Sequence, residues 1–469
     1  MPSLAVRALA VIAVVVIAAV AGNALLGGGG DDSGAGSGGT VDPLGFTSAR
    51  ESDLAGAAAR GNAHVLYAKL PGGARESAAR TARWRPQVEQ AAATAGVEAD
   101  ELEGLVLLES AGREDAIADP RLEGAVGLTQ ILAETGRSLL KMQIDTAASR
   151  RIGRSLRRAA IRGDDALIAR LRARRMRVDE RFDPAKALAA TARYLLFAKG
   201  QLGRDDLAIE SYHMGVGNVQ NALRAYGGQD VSYARLYFDS TPLRHAAAYQ
   251  RLAALGDDSA TYLWRVAAAR EIMRLYRSDP GQLDRLSELQ NAKNSAEEVL
   301  HPADETDRFD TPAQLRAAYD DGRIVPLRQS KLTDNGVQID PGMGELAARP
   351  GRSRSLYRGL REPALALLLY LGAGVKRISG QQPLLVTSTV RDERYQRLLL
   401  KRNREATPNY SLHTTGWAFD ILRSYATRAQ ALAFEFMLER LQSLDLIAWV
   451  REPGAIHVTV SQDAARLVK

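Results

Sequence analysis

The chain has 469 residues, a formal charge of +7 and 46% hydrophobic residues. At roughly 100–200 residues per domain, that length predicts two or three domains with ordinary cores. Cysteine is absent, which excludes disulfides, thiolate metal sites and a cysteine-linked lipid anchor.

In chain order, residues 1–27 come first. MPSLAVRALAVIAVVVIAAVAGNALL holds one charge, Arg7, and then a run without charge from Ala8 to Leu26. Such a run is close to what ~30 Å of hydrocarbon needs, so it predicts a membrane anchor. Ala19-Val20-Ala21 equally suits signal-peptidase cleavage. Either way the rest of the chain lies beyond the inner membrane, anchored or secreted, in the cell envelope. That location argues against nucleic acid as a partner. GGGGDDSGAGSGG follows as a flexible polar linker, and residues 28–80 read as Gly/Ala-rich linker and poorly patterned helix. From 81 to 280 the pattern is helical, with Ala, Leu and Arg dominant and few β-branched runs. Within it, 137–180 is Arg-rich. Residues 150–177 hold eleven Arg against two Asp. Ile152, Leu156, Ile161, Leu167, Ile168 and Leu171 recur there near helical spacing. This predicts a helical pair with a solvated basic face, or a contact with a polyanion. Residues 281–325 read as a connector with one helix. From 326 to 469 the character changes. PLLVTSTV at 383–390 predicts a strand, 428–446 an apolar-periodic helix, and IAWV and AIHVTV two strands joined by REPG. The fold class is therefore multidomain: a mainly α domain, then a smaller α+β domain.

Glu109 is the penultimate residue of the stretch LEGLVLLES at 102–110. Glu101 and Glu103 sit early in that helix, as solvated first-turn acids do. Glu109 instead follows Leu105, Val106, Leu107 and Leu108. A carboxyl against apolar surface has its pKa raised, as a general acid requires. Alone, the pattern also suits a surface glutamate. GAVGLTQI at 124–131 and AIESYHMGVGNV at 208–219 accompany it. With Glu109-Ser110, these segments resemble the three signature motifs of the soluble lytic transglycosylase family, whose fold is lysozyme-like. YLWRVAAAREIMRLY at 262–276 looks like that family's closing helix, and the resemblance spans roughly Trp84 to Pro280. It implies cleavage of the β-1,4 bond between N-acetylmuramic acid and N-acetylglucosamine, with 1,6-anhydro products and no cofactor. Glu109 would serve as acid and then base. Ser110, Gln130, Tyr212 and His213 would be substrate-binding, with Ser110 also placed to orient the glutamate. His213 and Val216 depart from the family's usual Asn and Pro. His213 can still hydrogen-bond a sugar.

Further along, PNYSLHTTGWAFD places His413 and Asp420 seven residues apart around Gly416, and AIHVTV carries His457. Two histidines and a carboxylate suit a catalytic Zn²⁺ with an open position. They equally suit a turn-capping histidine and a core histidine. SLHTTGWAFD and VTSTVRDERYQ resemble the zinc D-Ala-D-Ala carboxypeptidase and endopeptidase group over about 380–460. The resemblance implies Zn²⁺ held by His413, Asp420 and His457. It also implies a Ser-x-x-Arg pair, Ser388 and Arg391, with Arg391 on the substrate carbonyl or oxyanion. Where that group usually carries its general base stands Gly454; the nearest acid, Glu452, is expected to act instead. The combined expectation is a bifunctional peptidoglycan hydrolase acting on glycan strands and stem peptides. Its further partners would be the inner membrane, through the N-terminal segment, and envelope machinery for secretion or conjugation. The alternative is a transglycosylase with an inactive, peptide-binding C-terminal domain.

Overall fold

The computed structural model describes residues 42–228, 230–349, 351–401 and 410–468. The expected signal peptide or anchor at 1–27 lies outside the described residues. Among the described residues, no helix is long and apolar enough to cross a membrane.

The first region is helical. Helix α1 (Ala99–Ser110) buries Leu102, Leu105, Val106 and Leu107. The Arg-rich segment forms two helices, α2 (Thr146–Arg162) and α3 (Asp165–Val178), joined at Gly163. Asp145 and Asp164 start them by accepting from Ala148 N and Leu167 N, which satisfies otherwise orphaned amides. Helices α4 (Pro184–Leu202) and α5 (Asp205–Met214) follow, and α6 (Tyr262–Ser278) closes the region against α1. Gly104 permits that approach: a Cβ there would lie 3.0 Å from Val266 O and 2.7 Å from Arg270 Cγ. Glu103 corrects the expectation of solvated first-turn acids. It is fully buried, accepting from Arg85 at 3.0 Å and Arg277 at 2.7 Å. Two guanidiniums from other helices compensate the buried charge, and sequence position alone does not disclose them.

The second region is a five-stranded sheet. Its strands are β1 (Val337–Ile339), β2 (Leu384–Ser388), β3 (Ala418–Leu422), β4 (Ile447–Arg451) and β5 (Ala455–Val460), in the order β1-β2-β3-β5-β4. β1 and β2 are parallel and the other pairs antiparallel. Alternation sorts the faces. Phe419 and Ile421 pack with Val386, Ile456 and Val458 in the core, while Asp420 between them turns to the other face. Two helices, Glu362–Ser379 and Arg428–Ser443, pack together and contribute Leu367, Leu368, Phe434 and Met437 to that core.

The Gly-rich linker expected at 27–39 lies outside the described residues, whereas the helical part of 28–80 and the connector are built into the fold. Residues in 28–80 form the helices Glu51–Gly61 and His64–Lys69 and the start of Gly73–Ala82. The connector forms three helices, Pro280–Asn291, Ala296–Leu300 and Pro312–Asp320. One buried apolar cluster unites the two regions: Leu54, Val219 and Trp264 share it with Leu368, Phe419 and Phe434. At the seam, Arg440 donates to Tyr237 O and Ser240 O, both at 2.9 Å, and lies over the Tyr237 ring.

Candidate functional site

Two constellations emerge. The first surrounds Glu109, in the last turn of α1 and partly exposed. Tyr262, at the start of α6, donates its hydroxyl to Glu109 Oε1 at 2.6 Å. Burial pushes the Glu109 carboxyl up to about 7, against the opposing pull of Tyr262 and Arg265. Tyr262 is the partner that motif reading missed: it lies 153 residues away in the chain. Its place as the first residue of an apolar-periodic helix was the available signal.

The other expected positions divide. Tyr212 stacks with Tyr262 at 6.3 Å between ring centres, but its hydroxyl donates to Thr129 O at 2.7 Å. It ties the third motif to the second. Gln130 sits at φ 52 and donates Nε2 to Gly127 O at 2.8 Å, bracing its own turn. Gly127 has no room for a side chain, since a Cβ would lie 2.0 Å from Arg181 O. His213 is exposed, stacks on Tyr262 and shares a hydrogen bond with Ser259 at 2.8 Å. Ser110 is buried, and its hydroxyl donates to Val106 O one turn back. In this arrangement that hydroxyl bonds to its own helix rather than to Glu109. A second glutamate, Glu210, is also raised by burial, to about 8. It has no solvent exposure and accepts from Leu263 N at 2.8 Å, so it cannot flank a substrate bond.

The second constellation follows from strand register. Asp420 on β3 pairs with Ser388 on β2 and with His457 on β5. Residues directly opposite share a face, so three adjacent strands line up Ser388, Asp420 and His457. His413 arrives from the short turn Leu412–Thr415, which ends at Gly416 with φ 78. A Cβ on Gly416 would lie 2.5 Å from Ile324 Cδ1, so glycine serves both the turn and the packing. His413 Nε2 lies 3.1 Å and His457 Nδ1 2.7 Å from Asp420 Oδ1. One ligand atom from each of the three residues lies within 4.8 Å of the others.

The outer contacts decide what this set can hold. His413 Nδ1 donates to Thr389 O at 2.9 Å. Burial pulls His413 down to about 4, so its Nε2 presents a lone pair to a carboxylate oxygen. Only a cation or a proton between them relieves that opposition. His457 donates Nε2 to Glu297 Oε1 at 2.9 Å, which aims its Nδ1 at Asp420. Asp420 is held well below the usual carboxylate range by the two histidines, against the opposing effect of its burial. A metal ligand whose far nitrogen is fixed by a carbonyl or carboxylate is the arrangement zinc sites use; the donor set therefore fits Zn²⁺. Arg391 lies alongside, donating to Ser388 Oγ at 2.6 Å, Gln396 Oε1 at 3.0 Å and Asp420 Oδ2 at 3.3 Å. Glu452 occupies the β4–β5 turn, partly exposed, and its charge is felt at Arg391. The carboxylate that fixes the far nitrogen of His457 is Glu297. It comes from the connector, which no motif signalled.

Residues 166–234 match the family model of the Transglycosylase SLT domain. No curated protein and no solved structure matches the chain. The matched stretch begins inside the 137–180 segment and includes Tyr212 and His213; Glu109, Ser110 and Gln130 precede it. The chain thus contains a stretch similar to the Transglycosylase SLT domain, and that stretch supplies part of the surroundings of Glu109.

Proposed function

We propose that the protein is a peptidoglycan hydrolase with two chemistries, a lytic transglycosylase centred on Glu109 and a zinc peptidase centred on His413, Asp420 and His457. One observation carries the first: a lone, partly exposed glutamate, raised to about 7 and held by a tyrosine hydroxyl. A carboxyl so poised is substantially protonated near neutral pH and still able to act as a base. Glu109 would give its proton to the glycosidic oxygen as the bond from the muramic C1 to that oxygen breaks. The muramic 6-hydroxyl would then attack C1 and return its proton to Glu109. The new O6–C1 bond closes the anhydro ring and leaves the glutamate as it began. No second carboxylate is needed, unlike ordinary glycosidases.

For the second chemistry, a bound zinc supplies Lewis acidity towards a peptide carbonyl and lowers the pKa of water. His413, Asp420 and His457 would hold it. Arg391 would orient Asp420 and offer its guanidinium to the carbonyl oxygen. Glu452 would accept the proton of the attacking water. Both substrates belong to one polymer, so joining the sites raises the local concentration of each. The test is mass spectrometry of digested peptidoglycan with and without a zinc chelator. Anhydro-muropeptides in both digests, with shortened or uncrosslinked peptides only without chelator, are expected. Intact peptides in both would remove the peptidase; absence of anhydro products would remove the transglycosylase.

A further inference from the structure

The Arg-rich hairpin takes no part in either chemistry, yet it builds a cavity. α2 lines it with Arg150, Arg154 and Arg157, spaced to share one helix face. α3 adds Arg172 and Arg175, around a volume of about 460 Å³. The remaining wall belongs to the loop that leaves α1 just after Glu109, with Glu114, Asp115, Ile117 and Leu122 facing the same space.

The charges are not balanced within this wall. Five arginines face two carboxylates, and the one ion pair is Arg172–Asp115, at 3.8 Å. Arg150, Arg154 and Arg157 are exposed and have no side-chain partner among the described residues. Arg175 is 6% exposed. Its Nε donates to Ser149 Oγ at 3.1 Å, and its guanidinium lies 3.4 Å from the centre of the Phe182 ring. Burial pulls Arg175 down to about 10, against the pull of Asp179 and Asp115 and with Arg181 and Arg157 adding to the effect. Concave walls of one charge focus positive potential, and a desolvated cation without a carboxylate in contact gains from an anion. Leu156 and Ile168 add apolar lining. The cavity thus asks for carboxylates and small apolar groups together.

We propose that this cavity is a subsite for the carboxylate-bearing stem peptide of the glycan strand held at Glu109. The proposal rests on the transglycosylase reading of Glu109. A stem peptide carries several carboxylates and methyl side chains, and guanidinium groups bind carboxylates with two parallel hydrogen bonds. Lipid phosphates offer the same charge on a broad surface, which a concave cavity receives poorly. The loop shared with Glu109 favours a ligand on the same strand.

The test is titration calorimetry on the full chain carrying Glu109→Gln. The probes are a muramic tetrasaccharide with its peptides, the same tetrasaccharide without them, and glycerol phosphate. The peptide-bearing form is expected to bind at least about tenfold more tightly, and Arg154→Ala with Arg157→Ala to remove most of that ratio. Arg151→Ala with Arg162→Ala removes equal charge outside the cavity and is expected to keep the ratio. A ratio that survives the first pair, or falls equally with both pairs, overturns the proposal. So does loss of glycerol phosphate binding with the ratio intact, which would mark a lipid headgroup site. Anhydro products released by the Glu109→Gln protein would instead overturn the catalytic reading, while the affinity ratio is still read independently.

Discussion

Glu109 and Asp420 are both carboxylates sheltered from water, and their neighbours give them opposite characters. Glu109 accepts from one neutral hydroxyl and has no ion pair among the described residues, so burial outweighs Tyr262 and the more distant Arg265 and the proton is retained up to about 7. Asp420 has two histidines and Arg391 in contact; the histidines hold its carboxyl well below the usual carboxylate range, so the charge is retained. The first can donate a proton; the second can hold a cation. Partner type, more than depth of burial, assigns the role.

The contrast can be broken at either end. The largest effect is expected from Glu109→Gln, which should reduce anhydro-product formation by roughly 10²–10⁴-fold. Chelator-sensitive peptide release should persist in that variant; loss of both activities would mean the sites are not separate. Next, His413→Ala should abolish bound zinc by elemental analysis while anhydro products continue. Unchanged metal content would dismiss the site.

A third experiment reads the same glutamate as a stability effect. Its folded pKa of about 7 exceeds the ordinary 4.5. Below 4.5 both folded and unfolded forms are protonated, so there is no penalty. As pH rises towards 7, the unfolded chain loses the proton first and folding stability falls. Glu109→Gln should therefore stabilise the protein by up to about 3 kcal/mol above neutrality and by little near pH 4. Chemical denaturation at several pH values checks this, and a pH-independent difference would contradict the buried-carboxyl account. The smallest effect sharpens the metal side. Glu297→Gln should weaken zinc binding by about 10–100-fold, with full occupancy restored by excess zinc. Metal titration reads this directly, and an unaltered affinity would leave Glu297 a packing residue.

Much of each site was legible where chemistry follows local pattern. Glu109 stood out against its apolar turn. The alternation of AIHVTV turned His457 to the face that Asp420 shares. The missing parts came from far along the chain. Tyr262 and Glu297 reach their sites only through packing, and neither local periodicity nor spacing records such a contact. The union of the two regions was hidden for another reason. Glu51–Gly61 is alanine-rich, and its mean hydropathy does not distinguish it from a tether. Its burial of Leu54, Ala57 and Ala58 comes from the neighbours it meets.

Glu297 also gives the connector a significance beyond joining two regions. The segment that carries it is locked down further: His301 is buried, bonded to Val460 O at 2.6 Å and stacked on Trp417. A protease cutting beside this segment would free a carboxylate from His457 without touching Glu109. On the proposed reading, such a cut would weaken metal holding at the second site and leave the Glu109–Tyr262 pair in place.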